Sequence, residues 1–306
     1  RALMFPADGA LAGAALELQR PTRSLPALFA TEYALAKLLM GMGIRPAALI
    51  GHSMGEYVAA CLAGVITPDE GIGLVVRRGE LFEQLPEGGM LSVPLAESEL
   101  SAIIGPGLSI GAVNGPDLCM ASGPVRAIAE LEAALAERDI EGNRLHISVA
   151  AHSAMLDPVL AEFEAFCRTV PFRRPALPFI SNVTGRWITD EEATDPMYWV
   201  RHLRQMVRFA DGMATLLEDT SLVSVEVGPG RTLAGFARLQ APKRHVLTSM
   251  RHAREESSDR VRLLEAVGKL WLVGCRIDWP ALHHGGRRRR VVLPTYPFER
   301  TRHWID

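Results

Sequence analysis

The stretch from residue 47 to 60, Ala-Ala-Leu-Ile-Gly-His-Ser-Met-Gly-Glu-Tyr-Val-Ala-Ala, constrains what this chain can fold into more than any other. A short apolar run of strand character ends at Gly51-His52-Ser53-Met54-Gly55 and gives way at once to an Ala-rich helix. Strand, sharp turn and helix in that order push a serine hydroxyl out at the top of a parallel sheet. Gly51 and Gly55 lack side chains, so the turn can tighten and the helix can pack closely under Ser53. Ser53 is therefore the candidate nucleophile. The N–H of Met54, at the start of the helix, would face an oxyanion formed by its attack.

The remaining composition sets the frame. The chain has 306 residues, 48% of them hydrophobic, enough for one large α/β domain with a smaller one inserted or appended. No apolar run approaches a membrane span and nothing resembles a signal peptide. A net charge of −2 gives no reason to expect nucleic acid. Cys61, Cys119, Cys167 and Cys275 are scattered, without C-x-x-C or metal-ligand spacing. Reduced core cysteines, no metal and a cytoplasmic location are the expectation.

Along the chain, a helix is expected from near Ser24 to Met40, stopped by Gly41 and Gly43. After the elbow, Thr67-Pro68-Asp69-Glu70 starts another, with Thr67 as N-cap, and that helix carries Arg77 and Arg78. Between Met90 and Ile147 strands and helices follow in the order β-α-β-β-α-β, the ferredoxin-like plan, which reads as an insertion into the larger body. Helices Leu156–Cys167, Tyr198–Leu203 and Phe209–Leu217 then alternate with strands Phe179–Asn182, Val223–Val227 and His245–Ser249. An amphipathic helix, Arg260–Leu272, precedes an irregular tail with a basic run at residues 287–290.

A serine nucleophile needs a base, and the base needs an orienting partner. His152 lies where the insertion returns to the main body, among small residues that leave its ring room; His52, His202, His245 and His252 are rivals. Asp157, Asp190 or Asp195 could complete a triad, and spacing does not choose among them. Arg78 has apolar neighbours in Val75, Val76 and Leu81. Turned into a cleft, its guanidinium fork would be a bidentate receptor for a carboxylate. Gly228-Pro229-Gly230 lacks the Lys and Ser/Thr of a phosphate loop and reads as a tight turn.

Gly51-His52-Ser53-Met54-Gly55-Glu56-Tyr57, Arg78-Gly79, Val149-Ala150-Ala151-His152, Tyr198-Trp199-Val200-Arg201-His202-Leu203 and Glu226-Val227-Gly228-Pro229-Gly230 occur in that order. Together they resemble the acyltransferase domain of a modular type I polyketide synthase. The ending, Leu293-Pro294-Thr295-Tyr296-Pro297-Phe298, resembles the linker that follows such domains and wraps back over them. The resemblance implies an α/β-hydrolase-like large subdomain with a parallel sheet at 1–89 and 149–277. It implies an inserted ferredoxin-like small subdomain at 90–148 and a linker at 278–306. It further implies transfer of a malonyl-type group from acyl-CoA to the phosphopantetheine thiol of an acyl carrier protein, with no bound cofactor. A ketosynthase and other synthase domains would be its neighbours. Ser53 would be acylated and His152 the base, oriented by a main-chain carbonyl at His202. Arg78 would pair with the substrate carboxylate, with His52, Asn114, Val149 and Ala151 also lining the substrate site.

The family opens with a G-Q-G-S-Q segment whose glutamine N–H completes the oxyanion hole, and nothing before Ser24 contains it. The expectation is a chain that starts inside a larger polypeptide, downstream of that strand. Family members specific for malonyl carry His-Ala-Phe-His up to the base, and those for methylmalonyl carry Tyr-Ala-Ser-His; Val149-Ala150-Ala151-His152 is neither. Ala151 leaves room for a methyl, but Met54 is not the glutamine common in methylmalonyl enzymes, so malonyl is slightly favoured. A serine hydrolase or esterase, or a catalytically silent fragment, is the competing reading.

Overall fold

The computed structural model describes residues 2–7, 9–145, 147–282 and 291–304. Helices α1 (Leu11–Glu17) and α2 (Pro21–Gly41) come first. α2 starts at Pro21 rather than near Ser24, because Pro21 takes the first helical position, where no N–H is needed. Its beginning is tied to the rest of the body through Glu83, which accepts from Thr22 N at 3.1 Å and from Arg20 at 2.7 Å.

Strand β1 (Leu49–Ile50) leads into α3 (Gly55–Leu62), and α4 (Pro68–Phe82) follows with the expected Thr67 cap, closed reciprocally by Glu70. β2 (Gly88–Val93), α5 (Glu97–Ile103), β3 (Ser109–Gly115), β4 (Leu118–Pro124), α6 (Val125–Ala136) and β5 (Asn143–Arg144) form the small subdomain. Its antiparallel sheet has the order β3-β4-β2-β5, as the ferredoxin-like plan requires. The expected last strand reached Ile147; β5 ends at Arg144, and residue 146 lies outside the described residues.

Both faces of this sheet are apolar, and the period of two sorts them. Leu91, Val113, Cys119 and Ala121 face Ile128, Leu131 and Leu135 of α6. Their neighbours Met90, Ala112 and Met120 face the large subdomain instead, meeting Val207, Phe209 and Met213. The two subdomains therefore share a core. Residue 207 extends the sheet itself: Val113 N donates to Val207 O and Val207 N to Gly111 O, both at 2.9 Å.

Back in the large subdomain, Pro158 withholds a backbone donor, so the expected helix from Leu156 begins as a 3-10 turn and becomes α7 only at Leu160–Cys167. β6 (Phe179–Ile180), α8 (Asp190–Thr194), α9 (Pro196–Arg204), α10 (Phe209–Leu217), β7 (Ser224–Glu226), α11 (Thr232–Gln240), β8 (Val246–Thr248), α12 (Asp259–Leu272) and α13 (Trp279–Leu282) complete the body. Among the described strands, β1 pairs in parallel with β6 and β7 with β8. α8 was not expected; Thr189 and Glu192 form a capping box that starts it.

The main core gathers Phe29, Tyr57, Leu74, Leu81, Phe163, Phe179 and Trp199 around α3. Glu226 accepts from Leu233 N and Ala234 N, so the start of α11 beyond Gly228-Pro229-Gly230 is already capped, in keeping with a turn rather than a phosphate site. The tail departs from expectation. Residues 291–304 form no helix or strand, and Val292, Leu293, Tyr296, Phe298 and Trp304 are exposed rather than folded back on the body. Pro294 and Pro297 each withhold a backbone donor, which disfavours strand pairing there. The basic run at 287–290 lies outside the described residues. No described helix is long and apolar enough to cross a membrane.

Candidate active site

The elbow is as tight as its glycines permit. A Cβ on Gly51 would collide with Gly55 and with the backbone N of Glu56. Because those neighbours are backbone, they cannot rotate aside. Gly51→Ala should lower stability by ~3 kcal/mol, a fall in melting temperature on the order of 6–10 °C by thermal unfolding.

Ser53 sits at φ 52°, in the left-handed region that a non-glycine residue occupies only when its surroundings hold it. His152, at φ 57° and 3% exposed, is strained likewise. Its Nδ1 lies 2.8 Å from the carbonyl oxygen of Gln205, which can only accept. The ring proton is therefore on Nδ1, and Nε2 is left to accept the Ser53 hydroxyl proton across 2.6 Å. Arg78 Nη2 donates to the same Oγ at 2.8 Å. Ser53, His152 and Arg78, far apart in the chain, thus converge on one oxygen.

The orienting carbonyl belongs to Gln205, not to His202 as expected. His202 lies inside α9, whereas Gln205 is the extended residue that ends it (ψ 162°), with its carbonyl turned out of the helix. The bridge from Val207 to β3 holds it there. His202 contributes its buried ring instead, with Nε2 3.4 Å from a Glu56 carboxylate oxygen and neither ring nitrogen hydrogen-bonded among the described residues. Desolvation pushes His202 down to about 3 and Glu56 up to about 8.

None of the considered aspartates reaches His152. Asp157 pairs with Arg204 at 2.5 Å, Asp190 with Arg174 at 3.6 Å, and Asp195 caps α9 while pairing with Arg201. His52 is not a rival base: its Nε2 is 2.7 Å from Asn114 Oδ1, on β3, and its ring packs 5.3 Å from Phe209.

Arg78 is 2% exposed, and its Nε and Nη1 have no partner among the described residues. Phe82 and Tyr57 flank the guanidinium at 5.1 and 6.0 Å. Desolvation lowers its pKa, and Tyr57 alone opposes that effect; no carboxylate does. A buried cation with spare donors is suited to hold an anion. Val149 and Ala151 are half-buried against the main core, the Ala151 carbonyl held by Ser122 at 2.6 Å. A cavity of about 380 Å³ opens next to His152 between β3, Val183 and residues 204–208.

Burial, with the positive field of Arg78 and the neighbouring imidazoles His202 and His52, holds His152 well below its ordinary 6.5. A base works when neutral, that is, above its pKa. Single-turnover acylation is therefore expected to stay flat on acidification through pH 6.5 and to fall only well below it. Between those values the unfolded chain binds a proton that the folded one refuses, so stability declines over the same window.

Two groups of the site were not anticipated from the sequence, Gln205 and Asn182. The amide of Asn182 meets the elbow, accepting Ser53 N–H at 2.7 Å and donating to Gly51 O at 2.8 Å. Its position at the carboxyl end of a parallel strand, where sites of α/β proteins gather, was the available signal.

Comparison with known proteins agrees with this geometry. The family model of the acyl transferase domain matches residues 13–258. A phenolphthiocerol/phthiocerol polyketide synthase component from Mycobacterium tuberculosis is 39% identical over 302 residues, 96% of this chain, which spans only 20% of that relative's length. Among solved structures, the acyl transferase domain of ZmaA superposes with a TM-score of 0.88 at 40% identity, covering 96% of this chain and 69% of that one. The acyl transferase domain of SpnD, solved with 2-(pent-4-yn-1-yl)malonyl, superposes at 0.80 with 45% identity, covering 83% and 62%. An α/β body carrying a small inserted subdomain, a serine at its elbow and matches of this extent place the chain in the acyl transferase domain family, among those of polyketide synthases.

Proposed function

We propose that this chain moves a malonyl-type acyl group from CoA to the phosphopantetheine thiol of an acyl carrier protein through an acyl-Ser53 intermediate. The observation that carries the reading is the unpaired, buried Arg78 bonded to the nucleophile's own oxygen. Ser53 Oγ attacks the thioester carbonyl while its proton passes to His152 Nε2. The oxyanion meets the N–H of Met54, which no hydrogen bond engages among the described residues. Collapse breaks the carbon–sulfur bond, and CoA leaves as the thiol with the proton from His152. The carrier thiol then repeats the sequence in reverse, giving its proton to His152 and restoring Ser53. Arg78 holds the free carboxylate of the acyl group throughout, and the similar SpnD domain was solved with a substituted malonyl.

Residues 90–148 serve as the small subdomain, 1–89 and 149–277 as the large one and 278–306 as the linker of a larger synthase in the cytoplasm. Asn114, from the small subdomain, holds the His52 ring. Malonyl is favoured over methylmalonyl on the strength of Met54 beside the nucleophile, and only slightly, since one methyl in an apolar pocket is worth only ~1–3 kcal/mol. The test is intact mass after exposure to malonyl-, methylmalonyl- and acetyl-CoA, followed by a holo acyl carrier protein. A malonyl adduct that passes to the carrier supports the reading. Acyl loss to water without transfer supports a hydrolase, and no adduct from either dicarboxylic thioester overturns the proposal.

A further inference from the structure

We propose that Asn182 is a positioning residue for acyl transfer: its side-chain amide straddles the elbow and holds Ser53 in the geometry that aims Oγ at His152. The inference rests on the acyl-Ser53 reading above.

The parallel ladder between β1 and β6 runs Leu49 to Phe179 and Ile50 to Ile180, and stops there. Beyond it the chain of β1 bends into the elbow, while Ser181 turns away, its N donating to Arg186 O at 2.8 Å. Two backbone groups, the carbonyl of Gly51 and the N–H of Ser53, lose any regular partner and flank His52. The amide of Asn182 takes both, as if it were one more residue of the neighbouring strand. One end faces a carbonyl and the other an N–H, so the orientation of the amide is fixed by its partners.

Asn182 is itself anchored. It is 2% exposed, its backbone N donates to Glu56 Oε2 at 2.7 Å, and its carbonyl accepts from Arg208 N at 2.8 Å. Glu56, fully buried on α3, is held in turn by the hydroxyl of Tyr198 on α9. The anchor thus joins the two helices that carry the nucleophile and lead to Gln205. The left-handed backbone of Ser53 is unfavourable for a residue with a side chain. Occupying the Ser53 N–H has a second effect: it leaves the Met54 N–H as the donor at the helix start.

The test uses Asn182→Ala and Asn182→Asp with single-turnover acylation from malonyl-CoA, monitored from pH 5.5 to 8. Asn182→Ala should acylate ~10²-fold more slowly, since small misplacements of a reacting atom have effects of that size. The half-saturating malonyl-CoA concentration should stay unchanged, because Arg78 is untouched. In Asn182→Asp the protonated carboxyl reproduces both bonds, whereas the ionised one sets an anion against the Gly51 carbonyl. Glu56 on α3, with Tyr198 and His202 of α9 behind it, are the titratable groups on that side. Acylation by Asn182→Asp should therefore rise as the pH falls, against the flat wild-type profile. An alanine variant at wild-type rate, or an aspartate variant that follows the wild-type profile, would overturn the proposal. If Asn182→Ala fails to fold, the aspartate profile decides alone. A wild-type chain that forms no adduct would overturn the acyl-Ser53 reading instead, so the two failures are distinct.

Discussion

Ser53→Ala is expected to abolish the acyl adduct and to reduce transfer by ~10⁴-fold or more, the scale on which removal of an activated nucleophile acts. The reason is local. Oγ is the one atom that meets both His152 Nε2 and Arg78 Nη2, at 2.6 and 2.8 Å, so no neighbouring oxygen can take its place. The variant keeps Arg78, and malonyl-CoA should still bind. An equilibrium titration showing retained malonyl-CoA affinity with no covalent mass change is the expected pair of results. An adduct that persists in Ser53→Ala would place the nucleophile elsewhere and overturn the mechanism.

Arg78→Met should separate activity from stability. Loss of the guanidinium removes the charge partner of the substrate carboxylate, an effect of roughly 2–5 kcal/mol, or about 30- to 4000-fold in acylation by malonyl-CoA. Acetyl-CoA has no carboxylate to lose, so its slow reaction should change far less, and the selectivity between the two should collapse. The free protein should respond in the opposite sense. Arg78 is buried with two unpartnered donors, and an apolar side chain of similar length removes that desolvation penalty. Its melting temperature should hold or rise. Arg78→Lys keeps a charge without the fork, and its malonyl rate should lie between the two. A malonyl rate in Arg78→Met that falls no further than the acetyl rate would remove Arg78 from substrate recognition.

What could be read from the chain depended on how far apart the interacting groups lie. The elbow was legible because strand, glycine turn and helix are contiguous, and the same holds for the Thr67 cap. The β-α-β-β-α-β order of elements also announced the small sheet. Arg78 was legible as a candidate because an arginine among Val75, Val76 and Leu81 is out of place on a solvated face. Gln205 was not, because the expected acceptor rested on resemblance. Which carbonyl faces His152 depends on where α9 ends and on the pairing of residue 207 with β3. Asn182 was passed over because its strand was read as longer than it is. Only when the ladder stops at Ile180 does the Asn182 side chain become free to bond the elbow.

The sequence by itself marked Ser53 at a glycine-flanked turn and set out the order of the subdomains, since each is written in contiguous residues through backbone sterics, and it left His152 among several candidate histidines. The tertiary structure alone decided what surrounds Ser53 Oγ. It brought in a base 99 residues away, an arginine 25 away and, on the Ser53 N–H, an amide 129 away. It also left that arginine without a carboxylate. Those outcomes follow from packing two apolar faces of one small sheet and closing a short parallel ladder, and no local pattern in the chain records the distances that result.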